Sequence, residues 1–184
     1  MIEIMDKLPQ NVDKSLVEEK YYEYLKRLYD INQDYLIRCI LHLFPKRNEL
    51  YKKQAHDFVE NNDSEIKFIS YEKDEEIIAL ARANILEDTI YFGDIVFLKE
   101  QNLLERLNII DCMIGYLEEH AKNNTQENMQ IEVPKLDDYE ITLALNNGFD
   151  FIIEPQSKTI KHPTYILKKE IKKRTLDEPT LSRK

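Results

Sequence analysis

The sequence predicts an α/β protein in which helices flank a mixed, mostly antiparallel central sheet, with an extended helical region at the N-terminus. In the first 60 residues apolar side chains recur every three or four positions, which is typical of amphipathic helices. From residue 65 onward, short runs rich in β-branched and aromatic residues alternate with helical segments. Because 184 residues suffice for one core, we expect one domain over 1–171, with a helical part at 14–62 and the sheet at 65–171.

The N-terminal region is predicted to contain three helices. The first apolar face covers residues 14–30, and the second covers 34–44. A third pattern starts at Tyr51 and ends near Asn61-Asn62-Asp63, where polar residues that favour turns follow one another. These helices precede all but one of the predicted strands.

Three antiparallel strands are predicted between residues 65 and 98. Ile66 and Phe68 alternate with Lys67, and residues 77–81 and 90–98 form two further apolar runs. Short polar sequences separate the runs, which is typical of hairpins. The remaining predicted elements are a helix at 102–121, a strand at 129–133, a helix from Asp137 or Asp138 to Asn147-Gly148, a strand at 165–171 and a candidate first strand at Ile2-Glu3-Ile4.

Charge and hydropathy limit the classes of partner. The net charge of −9 argues against binding nucleic acid, because binding to a phosphate backbone depends on clustered Lys and Arg. No apolar run approaches the roughly 20 residues of a membrane span, and the N-terminus lacks a signal-peptide pattern. We therefore expect a cytoplasmic protein that binds neither nucleic acid nor membrane. The basic tail at 172–184 is interpreted as a flexible end or, alternatively, as a docking arm for an acidic partner.

Cysteine and histidine positions do not suggest a metal site. Cys39 and Cys112 lie in apolar helical runs without a CxxC spacing, so we expect two buried free thiols and a reducing compartment. The four histidines are far apart in sequence and show no metal-ligand spacing.

The order of elements from 65 to 171 resembles the core of the GNAT superfamily of acyl-CoA-dependent N-acyltransferases. The most specific similarity lies between Glu132 and Phe149, where Val133, Asp137, Ala144 and Gly148-Phe149 fall at the spacings of a family motif. The resemblance implies acetyl-CoA as acyl donor and an amine as acceptor. It places the cofactor against the edge of the strand at 94–98 and the loop after it, which gives Phe97, Leu98, Lys99, Arg106 and Asp137 as cofactor-binding residues.

The segment at 99–109 departs from the family pattern. It contains no glycine, and the two family glycines fall on Leu107 and Ile109, whose branched side chains are expected to crowd a phosphate. Asn102 and Glu105 have the spacing of a capping box, which would satisfy first-turn N–H groups that otherwise attract a phosphate. The family tyrosine that protonates the leaving thiolate falls on Ala144. The alternative function is therefore that of a catalytically inactive GNAT-like protein that acts as a protein-interaction or regulatory module, with a homodimer as one form of it.

Two acidic residues are candidates for the general base. Acyl transfer to an amine needs a group that removes a proton from the ammonium, and a carboxylate with a pKa raised by burial can do this. Asp94 and Glu132 lie within predicted strands, next to apolar residues. The other interpretation of each is a solvated side chain on the outer face of its strand. Gly93, inside the same strand as Asp94, is consistent with a bulge.

Overall fold

A computed structural model of the chain describes residues 1–31, 47–60, 63–134, 137–152 and 164–172. The strands are β1 (Ile2–Met5), β2 (Ile66–Lys73), β3 (Glu76–Ile85), β4 (Thr89–Phe97), β5 (Asn128–Pro134), β6 (Asp150–Phe151) and β7 (Thr164–Glu170). The helices in these ranges are α1 (Lys14–Ile31), α2 (Arg47–Val59), α3 (Leu103–Lys122) and α4 (Asp138–Asn146). The predicted helix at 34–44, Cys39 and the tail beyond Lys172 lie outside the described residues.

The strands form one seven-stranded sheet in the order β1-β2-β3-β4-β5-β7-β6. Every neighbouring pair is antiparallel except β4 and β5, which are parallel and joined through α3. Parallel neighbours need a crossover of this length, because a hairpin can only join antiparallel strands. The predicted mixed, mostly antiparallel sheet is confirmed, and so is the candidate strand β1.

Side chains from alternate positions of the strands build two cores on opposite faces of the sheet. One core contains the buried face of α3, including Ile110, Met113 and Leu117, together with the strand residues that point toward this helix. The other core lies under α1 and α2 and includes Val17 and Phe58. This arrangement follows from the period of two along a strand and 3.6 along a helix. Within the described ranges, no helix is long and apolar enough to cross a membrane.

The sheet is irregular at the middle of β4. Leu80 of β3 pairs with Val96, whereas Arg82 pairs with Gly93, so β4 has one extra residue in this interval. The bulge contains Asp94, which has a φ of 51°. A positive φ is uncommon for a residue with a side chain and strains the backbone. The predicted bulge is therefore confirmed.

The parallel strands β4 and β5 separate where the bulge in β4 begins. The last paired residues of β4 and β5 are Phe92 and Ile131. Beyond them the strands continue to Phe97 and Pro134 without a pairing between them. This separation leaves an opening between neighbouring strands in the centre of the sheet.

Candidate active site

A cavity of about 110 Å³ lies where β4 and β5 separate. Residues from five elements and from the segment before α4 surround it, so a ligand there would touch both sides of the sheet. Four carboxylates and two guanidinium groups lie among apolar groups in its lining. The lining residues are Tyr24, Arg27, Leu28, Asp94, Ile95, Arg106, Glu132, Pro134, Asp137 and Glu140.

Asp94 is placed at the edge of this cavity by the bulge. Removal of the carboxyl group from water raises its pKa, and the nearby carboxylate of Glu132 raises it further. A hydrogen bond from Tyr21 and the charge of Arg82 act in the opposite direction and are weaker. Burial therefore dominates, and Asp94 is a carboxylate of increased basicity. The interpretation of Asp94 as a solvated side chain is wrong.

Tyr21 connects helix α1 to the bulge. Its side chain is buried, with 5% of the residue exposed, and its ring stacks on Phe58 with 4.1 Å between the ring centroids. Its hydroxyl donates a hydrogen bond to Asp94, and burial together with the charge of Asp94 raises the pKa of Tyr21. Tyr21 thus remains a protonated donor, and it holds the Asp94 carboxylate in one orientation.

Glu132 is exposed, as the solvated interpretation predicts. Its carboxylate accepts a hydrogen bond from the hydroxyl of Thr164 on β7. A side chain at Gly93 would place its Cβ 3.3 Å from the Cβ of Glu132, so glycine leaves room for Glu132 beside β4. A second cavity of about 210 Å³ also includes Asp94 and Glu132, and it is otherwise lined by residues such as Tyr91 and Gln130.

The predicted capping box at the start of α3 is confirmed. The side chain of Asn102 accepts a hydrogen bond from the backbone N–H of Glu105 at 3.0 Å, and the Glu105 carboxylate accepts one from the N–H of Asn102 at 3.2 Å. The N–H groups of Leu103 and Leu104 have no acceptor in the part of the chain that the structure describes. The capping box therefore satisfies only some of the donors at this helix end.

Leu107 and Ile109 do not lie at the end of the helix. Because α3 begins at Leu103, both residues are in its second turn, and Ile109 is buried in the core. The expectation that their side chains crowd an anion at the first turn is therefore wrong. The first-turn side chain with a charge that opposes an anion is Glu105.

The other predicted cofactor residues have different environments. Arg106 and Asp137 line the cavity, and the guanidinium of Arg106 lies 5.0 Å from the centre of the Phe97 ring. Lys99 instead forms an ion pair with Glu76 on β3, and Leu98 is buried in the core under α1 and α2. The structure thus brings Asp94, Glu132, Arg106 and Asp137 together and places Lys99 and Leu98 elsewhere.

Sequence analysis did not identify Glu140, which lies in the first turn of α4. Its side chain is 13% exposed and pairs with Arg106 at 3.4 Å between Oε1 and Nη2. Burial and the neighbouring Asp137 raise the pKa of Glu140 to about 7, although Arg106 and Arg27 oppose the shift. The available signal was its position in the sequence, three residues after the N-cap Asp137 and four before Ala144. Residues at these spacings lie on the same face of a helix.

Cys112 differs from the prediction, because its side chain is exposed. It lies on the outer side of α3, where the helical period places it away from the sheet. Among the described residues, no group of three or more His, Cys, Asp and Glu side chains is arranged to hold a metal ion.

Comparison with known proteins shows similarity in structure but not in sequence. No protein-family model matches the sequence, and no curated protein matches it. The fold is similar to that of the PaiA N-acetyltransferase from Thermoplasma acidophilum, solved in complex with coenzyme A, with a TM-score of 0.56 and 15% identity over 92% of this chain and 99% of that one. It is also similar to the ribosomal-protein-S18-alanine N-acetyltransferase from Escherichia coli, with a TM-score of 0.55 and 14% identity over 97% and 99%.

A third similar structure is the aminoglycoside 6'-N-acetyltransferase from Enterococcus faecium, with a TM-score of 0.53 and 10% identity over 94% of this chain and 99% of that one. The three proteins are matched over nearly their whole length. The chain has the fold of the GNAT N-acetyltransferases.

Proposed function

We propose that the protein is an N-acetyltransferase that transfers an acetyl group from acetyl-CoA to an amine. The observation that carries this proposal is Asp94 at the opening between β4 and β5. Its backbone is strained by a positive φ, and burial raises the pKa of its carboxyl group. Strained backbone persists only where the surroundings impose it, and it is concentrated at functional sites. Here the strain orients a carboxylate toward a cavity in a fold shared with acetyltransferases.

The residues at the cavity can accommodate acetyl-CoA. The Nε atom of Arg106 is buried without a hydrogen-bond partner, and the N–H groups of Leu103 and Leu104 are also donors without an acceptor in the described chain. The two N–H groups would hold the pyrophosphate, because helix N-termini favour phosphate oxygens. Arg106, which pairs with Glu140, would contact the part of acetyl-CoA nearer the thioester. Phe97 and Asp137 would lie along the remainder of the cofactor. When bound, acetyl-CoA supplies an acetyl group activated as a thioester.

Asp94 and Glu132 act on the amine. An amine in water is largely protonated at neutral pH and cannot attack a carbonyl until it loses a proton. Asp94 removes this proton, since its raised pKa brings its basicity closer to that of neutral solution. The exposed carboxylate of Glu132, shared by both cavities, attracts the cationic amine from solvent.

The test compares Asp94→Asn with the parent in an assay that detects thiol release from acetyl-CoA in the presence of primary amines. Asparagine keeps the shape of aspartate but cannot take the proton, so we expect kcat to fall by about 10² to 10⁴. Asp88→Asn, an exposed acid in the turn before the same strand, is the matched control and should retain activity. Equal rates for Asp94→Asn and the parent would contradict the proposal.

A second candidate function has one specific observation in its favour. The two cations nearest the start of α3, Lys99 and Arg106, are both engaged with glutamates, and the capping box places Glu105 beside the remaining donors. A protein that keeps the fold without the activity would serve as a protein-interaction module, including as a homodimer. Absence of any saturable binding of acetyl-CoA by the parent protein would favour this candidate.

A further inference from the structure

Glu140 lies in the cavity with Asp94 but on a different element. Asp94 belongs to the bulge of β4, whereas Glu140 is in the first turn of α4, and both side chains line the same opening. The backbone N–H of Glu140 donates to the capping carboxylate of Asp137 at 3.1 Å, which fixes the start of the helix. The cavity therefore has a carboxyl group on each of two opposing elements.

From this geometry we propose that Glu140 is the general acid of the reaction, donating its proton to the sulfur atom of the departing thiol. The inference rests on the proposed N-acetyltransferase function. Ala144, one helical turn further along α4, is buried and has no proton to donate.

The proton balance requires a proton for the departing sulfur. As the amine nitrogen bonds to the acetyl carbon, the carbon–sulfur bond breaks and its electron pair remains on sulfur. Glu140 gives its carboxyl proton to that sulfur. Asp94 has already taken one proton from the ammonium, and the second proton that the nitrogen loses as the amide forms passes to solvent. The products are an amide and a thiol, and proton exchange with solvent then restores Glu140 and Asp94. No oxidant or additional reactant is needed.

The environment of Glu140 keeps a substantial fraction of its carboxyl group protonated at neutral pH. Burial and Asp137 raise its pKa to about 7, well above the usual value of about 4.3. Two carboxyls with different surroundings can in this way serve as acid and base in one site. The charged and titratable groups that surround the cavity with it are Asp137 on the N-cap of its own helix, Arg106 on α3, Tyr24 and Arg27 on α1, Asp94 on β4 and Glu132 on β5.

The competing interpretation is that Glu140 only ties α4 to α3 through Arg106. If the ion pair only held the two helices together, replacement of either partner would have the same effect. Loss of a general acid would instead slow the chemical step. We therefore expect Glu140→Gln to lower kcat by about 10² to 10⁴. Arg106→Gln should mainly raise the KM for acetyl-CoA. Asp138→Asn, an exposed acid two residues before Glu140, is the matched control and should behave as the parent.

The pH dependence separates the two roles further. If Glu140 must be protonated, kcat of the parent falls as the pH rises above about 7, and Glu140→Gln loses this descending limb. Glu140→Asp should recover part of the rate, since it restores an ionisable carboxyl. A Glu140→Gln protein that folds normally, as shown by circular dichroism, and keeps the parent kcat would overturn the inference.

A measurement without turnover tests the same residue. With ¹³C-labelled glutamate, the carboxyl resonance of Glu140 is identified by its loss in Glu140→Gln, and it should titrate near pH 7 and shift when CoA is added. A resonance that titrates with an ordinary pKa of about 4 to 5 would overturn the inference, and so would a resonance whose chemical shift is unchanged by saturating CoA. A parent protein that neither binds CoA nor transfers acetyl groups overturns the proposed function and this inference together, whereas an active parent with an unaffected variant overturns only the role of Glu140.

Discussion

At the scale of single residues, Asp94 is controlled by two opposing influences. Burial and the charge of Glu132 favour its protonated form, whereas the hydroxyl of Tyr21 and the guanidinium of Arg82 favour the carboxylate. Because the first pair dominates, the pKa is raised, and Tyr21 limits the extent of that increase. The helix that supplies Tyr21 packs on the opposite side of the sheet from α3, so both cores influence one carboxyl group.

Replacement of Tyr21 by phenylalanine tests this balance. Tyr21→Phe keeps the stacking on Phe58 but removes the hydrogen bond that stabilises the Asp94 carboxylate, so the pKa of Asp94 should rise further. The base is active only when deprotonated. The ascending limb of kcat/KM should therefore move to higher pH, with a loss of folding stability of about 1 to 2 kcal/mol. A shift of the ascending limb to lower pH would show instead that the hydroxyl of Tyr21 disfavours the charged form of Asp94.

The residue scale also shows why sequence predicted only part of the site. Asp94 and Glu132 were both candidates, but a regular period of two does not distinguish a buried carboxylate from an exposed one. The distinction comes from the bulge, which depends on the register between β3 and β4. Glu140 was missed because its burial depends on α1 and α3, which are distant in sequence.

At the scale of secondary structure, the first turn of α3 serves two competing roles. Its capping box stabilises the helix, while in the proposed function its remaining N–H groups would donate to an anion. Glu105 contributes to the first role and opposes the second, because its negative charge lies beside the donors. The helix end is consequently a weaker anion site than one lined by glycine alone.

Glu105→Gln separates these roles. Glutamine also functions at the third position of a capping box, so the helix should remain stable while the negative charge is removed. We expect the affinity for CoA, measured by calorimetry, to increase by about two- to fivefold, which corresponds to roughly 0.5 to 1 kcal/mol. Glu119→Gln, an exposed acid near the other end of α3, is the control and should leave the affinity unchanged. A weaker affinity for Glu105→Gln would mean that the carboxylate itself contributes to binding.

Most of the described elements were predicted from the sequence. The helices α1 to α4 and the strands β2 to β5 and β7 follow their apolar spacing, and β1 follows the short alternation Ile2-Glu3-Ile4. β6 has only two residues, which is too short to show any alternation. The turn between β2 and β3 was expected despite the absence of glycine, and the structure closes it with positive φ angles at Asp74 and Glu75.

At the scale of the whole molecule, the topology produces the opening. The chain enters β4 from a hairpin and leaves through the α3 crossover, so β5 is a parallel neighbour that pairs with β4 over only four positions. The bulge and the separation then place residues from both faces of the sheet around one cavity. The overall fold is similar to that of N-acetyltransferases at only 10 to 15% identity.

The most direct test of acetyl-CoA binding at this opening is a titration of ¹⁵N-labelled protein with acetyl-CoA, followed by the backbone amide resonances. No acceptor needs to be known for this experiment. We expect saturable shifts in residues 94–98, 103–106 and 137–140, with smaller shifts elsewhere, and loss of the shifts at 103–106 in Arg106→Glu. The absence of saturable shifts at millimolar acetyl-CoA, or shifts confined to residues remote from the β4–β5 opening, would contradict the assignment of this cavity as the acetyl-transfer site.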